Sequence, residues 1–396
     1  MTFLVEPKGY MDSRHRTIPG KKALVLSGGG ITGWLYEVGS LTALDDFFED
    51  GFSVNDFDLF VGVSAGATVA GLVANGVPPR VIYESNLTYG PYYFSRKDLY
   101  AFAWKDFLKS WFRVIQSFPL MARFILKNHR DFSMKDLMNL FNETQPAGFH
   151  TLEPFDQFLT RVWGEQGLSN DFRTLKRELY MPATNIDTGR YEVLGDGAFR
   201  DVPISRAVIA SSAIPMFFCP VRVKGIDFID GGIGRSAHID IAINKGASLI
   251  LLVHPVVHVI NDRNKVCLRT FRGVECASLR EMGFSYVYDQ AWKINTEARI
   301  YFALKRYHAE YPELDFMQIS PRPTETDLFL ESFMSLRARK KILQYGYAST
   351  SAFLEENDEV MRACFERYGI KVSIEKLKSK AKERWAQEKK INENGE

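Results

Sequence analysis

The chain has few cysteines, no excess of either charge and no long apolar run. Its four cysteines, Cys219, Cys267, Cys276 and Cys364, fall in no C-x-x-C or metal-ligating spacing, which excludes a sequence-encoded redox motif or zinc site. They read as packing residues of a protein kept in a reducing compartment, and a cytoplasmic location is expected. A net charge of +2 across 396 residues excludes nucleic-acid binding driven by bulk electrostatics. The longest apolar stretch, Leu249 to Val257, is interrupted by His254 and Pro255 and is too short to span a bilayer. Met1 to Pro7 has no basic segment leading into an apolar core, so no secretory signal is expected. A soluble or peripheral protein with no metal and no organic cofactor is predicted.

What the chain does have is a buried-strand pattern, Phe57-Asp58-Leu59-Phe60-Val61, running into Gly62-Val63-Ser64-Ala65-Gly66 and a run of small residues to Asn75. G-x-S-x-G between a strand and a helix is the nucleophile-elbow pattern, in which a strained residue presents its hydroxyl at a helix N-terminus. The same spacing also occurs in ordinary tight turns. One unit upstream, Lys22 to Ser27 reads as a strand covered on both faces. It leads into Gly28-Gly29-Gly30-Ile31-Thr32-Gly33 and a helix with Leu35, Val38, Leu41, Leu44 and Phe48 at helical spacing. Two such units in succession predict adjacent parallel strands. A phosphate cradle is disfavoured for the glycine cluster, because Trp34 follows Gly33 where a P-loop would carry Lys. An oxyanion hole serving Ser64 gives the cluster and the elbow one shared task.

Further along, a hairpin is predicted over Glu178–Leu194, a helix from Asp201 to just before Pro215, and a strand pair formed by Met216–Val223 and Ile226–Ile229. That pair ends in Asp230-Gly231-Gly232. A short helix over His238–Lys245 and a buried strand over Ala247–Val253 follow. Helices are expected over 131–176 with Gly148 and Pro154 as breaks, over Phe284–Pro312 and over Leu328–Tyr345, with a strand over Leu314–Ile319. The organisation expected is an arm (1–20), a body (21–370) with an inserted helical cap (89–150), and a charged tail (371–396).

A serine hydroxyl needs a base. Among seven histidines, His254 and His258 flank a strand end and are the better candidates; His15, His129, His150 and His308 sit in less suitable segments. Asp230 is the alternative, as a carboxylate whose pKa rises on desolvation.

These motifs, taken together and in order, resemble those of the patatin-like phospholipases. Gly28 to Gly33 resembles the family's oxyanion loop, Gly62 to Gly66 its elbow, and Ala210-Ser211-Ser212-Ala213-Ile214-Pro215 the approach to its catalytic aspartate. Asp230-Gly231-Gly232 resembles the motif that supplies that aspartate. The resemblance covers about residues 22–253. It implies an α/β fold, a three-layer α/β/α sandwich around a mostly parallel sheet. It also implies a lipid acyl hydrolase of phospholipase A or lysophospholipase type, acting on a phospholipid or other acyl ester. Ser64 and Asp230 would form the catalytic dyad, and Gly28, Gly29, Gly30 and Ala65 would form the oxyanion hole. Two features depart from the pattern: Thr32 stands where the family usually carries Arg or Lys, and Arg235-Ser236-Ala237-His238 replaces its usual continuation after the aspartate. A soluble esterase or thioesterase, or an idle lipid-binding protein, would share the motifs.

Between Tyr89 and Arg130 lie twelve aromatic residues interleaved with eight basic ones. That composition suits a peripheral membrane contact or a cap over an apolar cleft, and equally a helical layer with its aromatics in the core.

Overall fold

Residues Ala23-Leu24-Val25-Leu26 give the first strand two apolar faces, and helices cover both. The computed structural model describes residues 20–127, 133, 135, 145–235, 237–262, 276–322 and 334–393. Its strands are β1 (Lys21–Leu26), β2 (Leu59–Gly62), β3 (Ala101–Phe102), β4 (Gly148–Thr151), β5 (Glu178–Asn185) and β6 (Tyr191–Leu194). They continue with β7 (Met216–Phe218), β8 (Val221–Val223), β9 (Ile226–Ile229), β10 (Ala247–Val253) and β11 (Asp315–Ile319). An eight-stranded sheet runs β11-β10-β1-β2-β5-β9-β8, with β6 paired to β5. It is parallel from β11 to β5 and antiparallel beyond.

On one face, Leu24, Leu26 and Phe60 share a core with α1 (Gly30–Phe47), α2 (Ala65–Ala74) and the helices Glu153–Glu165, Ile204–Ser211 and Arg339–Glu356. On the other, Ala23, Val25, Leu59 and Val61 meet Ile239, Ile241, Ile300 and Leu304 from the helices Ile239–Asn244 and Phe284–Glu310. This is the expected three-layer α/β/α arrangement, with β1 and β2 at its centre. Loops leaving the carboxyl ends of two adjacent parallel strands are therefore brought together, and these are the glycine loop and the elbow.

Several local expectations are corrected. Met216–Val223 is two strands, because Pro220 has no N–H to continue a ladder and Cys219 N instead donates to His150 O at 2.8 Å. Thus β7 joins a small second sheet, β3-β4-β7, while β8 pairs with β9. Gly148–Thr151, expected to hold a break and a loop between helices, is the central strand of that second sheet. Residues 334–338 are not helical, and the helix there runs Arg339–Glu356, well past Tyr345. Cys276 is disulfide-bonded, against the expectation of packing thiols, while Cys219 and Cys364 are free. Pairing depends on how thiols meet in space, which spacing along the chain does not show.

Within the charged tail, Ile374–Glu393 is a helix whose Leu377 is fully buried and whose Arg384 donates to Asp46 at 2.9 Å. The aromatic stretch divides. Tyr92 and Phe94 are buried under the main body, Phe94 packing edge-on against Trp34. Trp104, Leu108, Trp111, Phe112 and Ile115 lie exposed on the helix Trp104–Lys127. Among the described residues no helix is long and apolar enough to cross a membrane. His15, His129, Cys267 and the 1–19 part of the arm fall outside the described residues.

Candidate active site

Where β2 ends and α2 begins, Ser64 has φ 55° and ψ −128°, a conformation non-glycine residues avoid at a cost of about 1–3 kcal/mol. The surroundings enforce it. Ser64 N donates to Ser211 Oγ at 3.0 Å, and Ser211 Oγ donates to Pro182 O at 2.7 Å, which ties the elbow to the helix Ile204–Ser211 and to β5. A side chain at Gly66 would place its Cβ 2.5 Å from Leu26 O and 2.9 Å from Gly28 N. The absence of one is what lets the glycine loop close over the elbow.

That loop approaches Ser64 directly: a Cβ at Gly28 would lie 3.0 Å from Ala65 N and 3.0 Å from Ser64 Cβ. Its three glycines all have positive φ, at 73°, 128° and 68°. Gly28 N–H donates to Glu37 Oε1 at 2.8 Å, so of the four expected oxyanion donors it is the one already engaged. Among the described residues no acceptor meets the N–H groups of Gly29, Gly30 or Ala65. Thr32, in place of a cation, turns its hydroxyl back toward Gly29 O at 3.5 Å.

Asp230, at the end of β9, meets Ser64. The N–H of Gly232 donates to Oδ1 at 2.8 Å, and the Ser64 hydroxyl lies close enough to favour the ionised carboxyl as well. Burial outweighs them and lifts the Asp230 pKa to about 6. The backbone around the aspartate is held from several sides: Asp230 N donates to Ala213 O at 2.9 Å, and Thr184 Oγ1 donates to Asp230 O at 3.2 Å. His238, fully buried at φ 48°, donates from Nε2 to Gly231 O at 2.9 Å. The unfamiliar continuation after the aspartate is thus closed by an imidazole, which burial keeps neutral by lowering its pKa to about 4.

The histidines favoured from sequence are engaged elsewhere. His254 Nδ1 lies 2.7 Å from Ser27 Oγ, and burial lowers the His254 pKa to about 4. His258 contacts Glu297, and His150 stacks on Phe217. Sequence reading missed Ser211, Glu37 and His238 as parts of the site's frame. Ser211 lay within a quoted motif and His238 eight residues past the aspartate, but Glu37 carried no signal beyond an acidic residue inside an apolar helix pattern. No group of three or more metal-ligating side chains occurs among the described residues.

Ser64 opens into a cleft lined by Gly30, Trp34, Thr68, Phe94, Leu99, Phe155, Ile214 and Phe218, among others. The lining is almost wholly apolar away from the serine.

The sequence pattern of the patatin-like phospholipases matches residues 24–243, more than half of the chain. The probable lipid hydrolase 463L of Invertebrate iridescent virus 6 is 24% identical over 244 residues, 61% of this chain and 66% of that protein. The chain thus spans just under two thirds of that relative's length. VipD from Legionella pneumophila aligns at 16% identity and a TM-score of 0.36, over 86% of this chain and 68% of VipD, a likeness too slight to carry an argument. The family match takes in the glycine loop, Ser64 and Asp230 on one continuous stretch, and the chain belongs to the patatin-like phospholipase family.

Proposed function

We propose that the chain is a lipid acyl hydrolase of phospholipase A or lysophospholipase type, working through an acyl-serine on a Ser64–Asp230 dyad. The observation that carries this is one constellation. A strained serine hydroxyl beside a buried carboxyl shares the head of an apolar cleft with the unengaged N–H groups of Gly30 and Ala65, next to that of Gly29. In the ionised form Asp230 takes the Ser64 proton as Oγ attacks an ester carbonyl. The negative charge that develops on the carbonyl oxygen rests on Gly29, Gly30 and Ala65 N–H. Collapse expels the alcohol, which takes the proton from Asp230 and leaves an acyl-serine. Water, deprotonated by Asp230, then releases the fatty acid and restores Ser64. The lining of Trp34, Phe94, Phe155 and Ile214 suits an acyl chain better than a polar acyl group.

The same reading places the protein at a lipid surface. Exposed Trp104, Leu108, Trp111, Phe112 and Ile115 recur at helical spacing, and exposed Lys105, Lys109 and Arg113 form the stripe beside them. This helix leaves the second sheet at Ala103, whose N–H donates to Phe149 O at 3.0 Å, and β7 of that sheet carries Phe218 into the cleft. An apolar and basic helix is therefore anchored at the rim of the site. The test is labelling with a fluorophosphonate followed by peptide mass spectrometry. A single adduct on Ser64 is expected; an unlabelled Ser64, or an adduct on another residue, would overturn the assignment.

A further inference from the structure

Three successive glycines make the most pliable backbone a chain can have, so they permit the geometry of an oxyanion loop without enforcing it. Catalysis by fixed donors needs the opposite, N–H groups that do not have to reorganise as charge develops. Something outside the glycines must hold them, and two otherwise unexplained buried groups touch the loop.

The first is Glu37, on the third turn of α1. Its side chain is fully buried, Oε1 accepts Gly28 N–H at 2.8 Å, and Oε2 has no partner among the described residues. Burying a carboxyl for a single hydrogen bond is costly, and an apolar residue would fill the position without that cost. Burial holds its pKa well above the ordinary range, which favours the uncharged form of this acceptor. The second is His254, just after β10, fully buried with Nδ1 2.7 Å from Ser27 Oγ. One residue thus grips the loop at Ser27 and the other at Gly28, on the two sides of one peptide unit. Behind them Val256 fills the space a Gly29 side chain would need, its Cγ2 2.7 Å from that Cβ position.

We infer that Glu37 and His254 are positioning residues that clamp the Ser27–Gly28 peptide and so fix the Gly29 and Gly30 N–H groups toward Ser64. This rests on the hydrolase reading above. The clamp also explains why Gly28 N–H faces inward although it is the first of the three glycine amides: it is the handle by which the loop is held.

The test compares Glu37→Leu, Glu37→Gln and Ser27→Ala with the wild type, using a soluble short-chain ester and hydrogen exchange of the peptide spanning 26–34. Leucine removes the acceptor at similar volume, and glutamine restores a neutral carbonyl acceptor. The expected result is a kcat for Glu37→Leu lower by about 10- to 100-fold, part of the 10²–10³ that deleting one donor typically costs. KM should stay within about twofold, because the donors act on charge absent from bound substrate. Glu37→Gln should recover most of the loss, and Ser27→Ala should lose kcat in the same sense by about threefold or more. Exchange in 26–34 should quicken in Glu37→Leu and Ser27→Ala but not in Glu37→Gln. Wild-type kcat and unchanged exchange in Glu37→Leu would overturn the clamp. So would equal losses in the Gln and Leu variants, or a loss confined to KM. If Glu37→Leu does not fold, Ser27→Ala and Glu37→Gln decide between the same outcomes. Absence of turnover in the wild type would count against the hydrolase reading, and exchange, which needs no substrate, would still judge the clamp.

Discussion

Asp230→Asn should make the protein more stable and nearly inactive, and the gain should depend on pH. The carboxyl's pKa moves from 3.8 to about 6 because burial penalises its ionised form. A folded-state pKa raised in this way means that the native state binds the proton more tightly than the unfolded chain. Stability is then lost as pH rises through the window from 3.8 to about 6, and the penalty is complete above it. Its size is about 1.4 kcal/mol for each tenfold change in proton affinity, hence about 3 kcal/mol at pH 7.5. Asparagine keeps an oxygen for the Gly232 N–H and removes the buried charge, so the substitution should recover most of that amount. A positioned general base contributes about 10²–10⁴-fold in rate, so in the proposed role the variant should lose turnover by that factor. Wild-type kcat/KM on a soluble ester should in turn fall about tenfold at pH 5, where about one-tenth of the carboxyl is ionised. The assay is urea unfolding of both proteins at pH 7.5 and 4.5, with kcat/KM across pH 5–8. A variant less stable than wild type at pH 7.5, or a flat wild-type pH profile, would rule out a buried Asp230 carboxylate with a raised pKa as the base.

Other perturbations probe other parts. Gly29→Ala brings a Cβ within 2.7 Å of Val256 Cγ2 at a φ of 128°, and displacing the donor should cost kcat about 3 kcal/mol with little change in KM, measured on a soluble ester. Lys105→Glu with Lys109→Glu should weaken sedimentation with anionic liposomes, at ~1 kcal/mol for each basic residue lost, while short-chain ester hydrolysis stays nearly unchanged. High salt should mimic that double substitution; equal losses on both substrates would indicate a folding defect instead. His258→Gln should leave hydrolysis within a few-fold of wild type, since His258 is engaged with Glu297; a loss as deep as that of Asp230→Asn would require a histidine base.

The elbow and the glycine loop were legible in the sequence because both are local: strand, glycines and helix follow one another, and the fold needs only to set two such units side by side. Asp230 was legible as a candidate base, and only the resemblance preferred it to histidine. That choice turns on burial and on contacts made across the fold, such as the pairing of His254 with Ser27 over 227 positions. Ser211 was hidden for the same reason, lying 147 positions from the elbow it steadies. Residues 89–130 could not be divided by composition. Tyr92 and Phe94 enter the core ahead of the exposed helix, where Phe94 reaches Trp34, and nothing in the spacing marks that change of side. Pro220 is the instructive miss, a visible breaker inside a predicted strand whose two halves serve different sheets.

The proposed reaction is release of acyl chains from lipid by Ser64 and Asp230. It is tested most directly by mass spectrometry of phospholipid vesicles incubated with wild-type protein, Ser64→Ala and Asp230→Asn. The prediction is free fatty acid with a matching lysophospholipid or glycerophosphodiester from the wild type, and neither above background from the two variants. Equal release by Ser64→Ala, or intact lipid after incubation with the wild type, would contradict it.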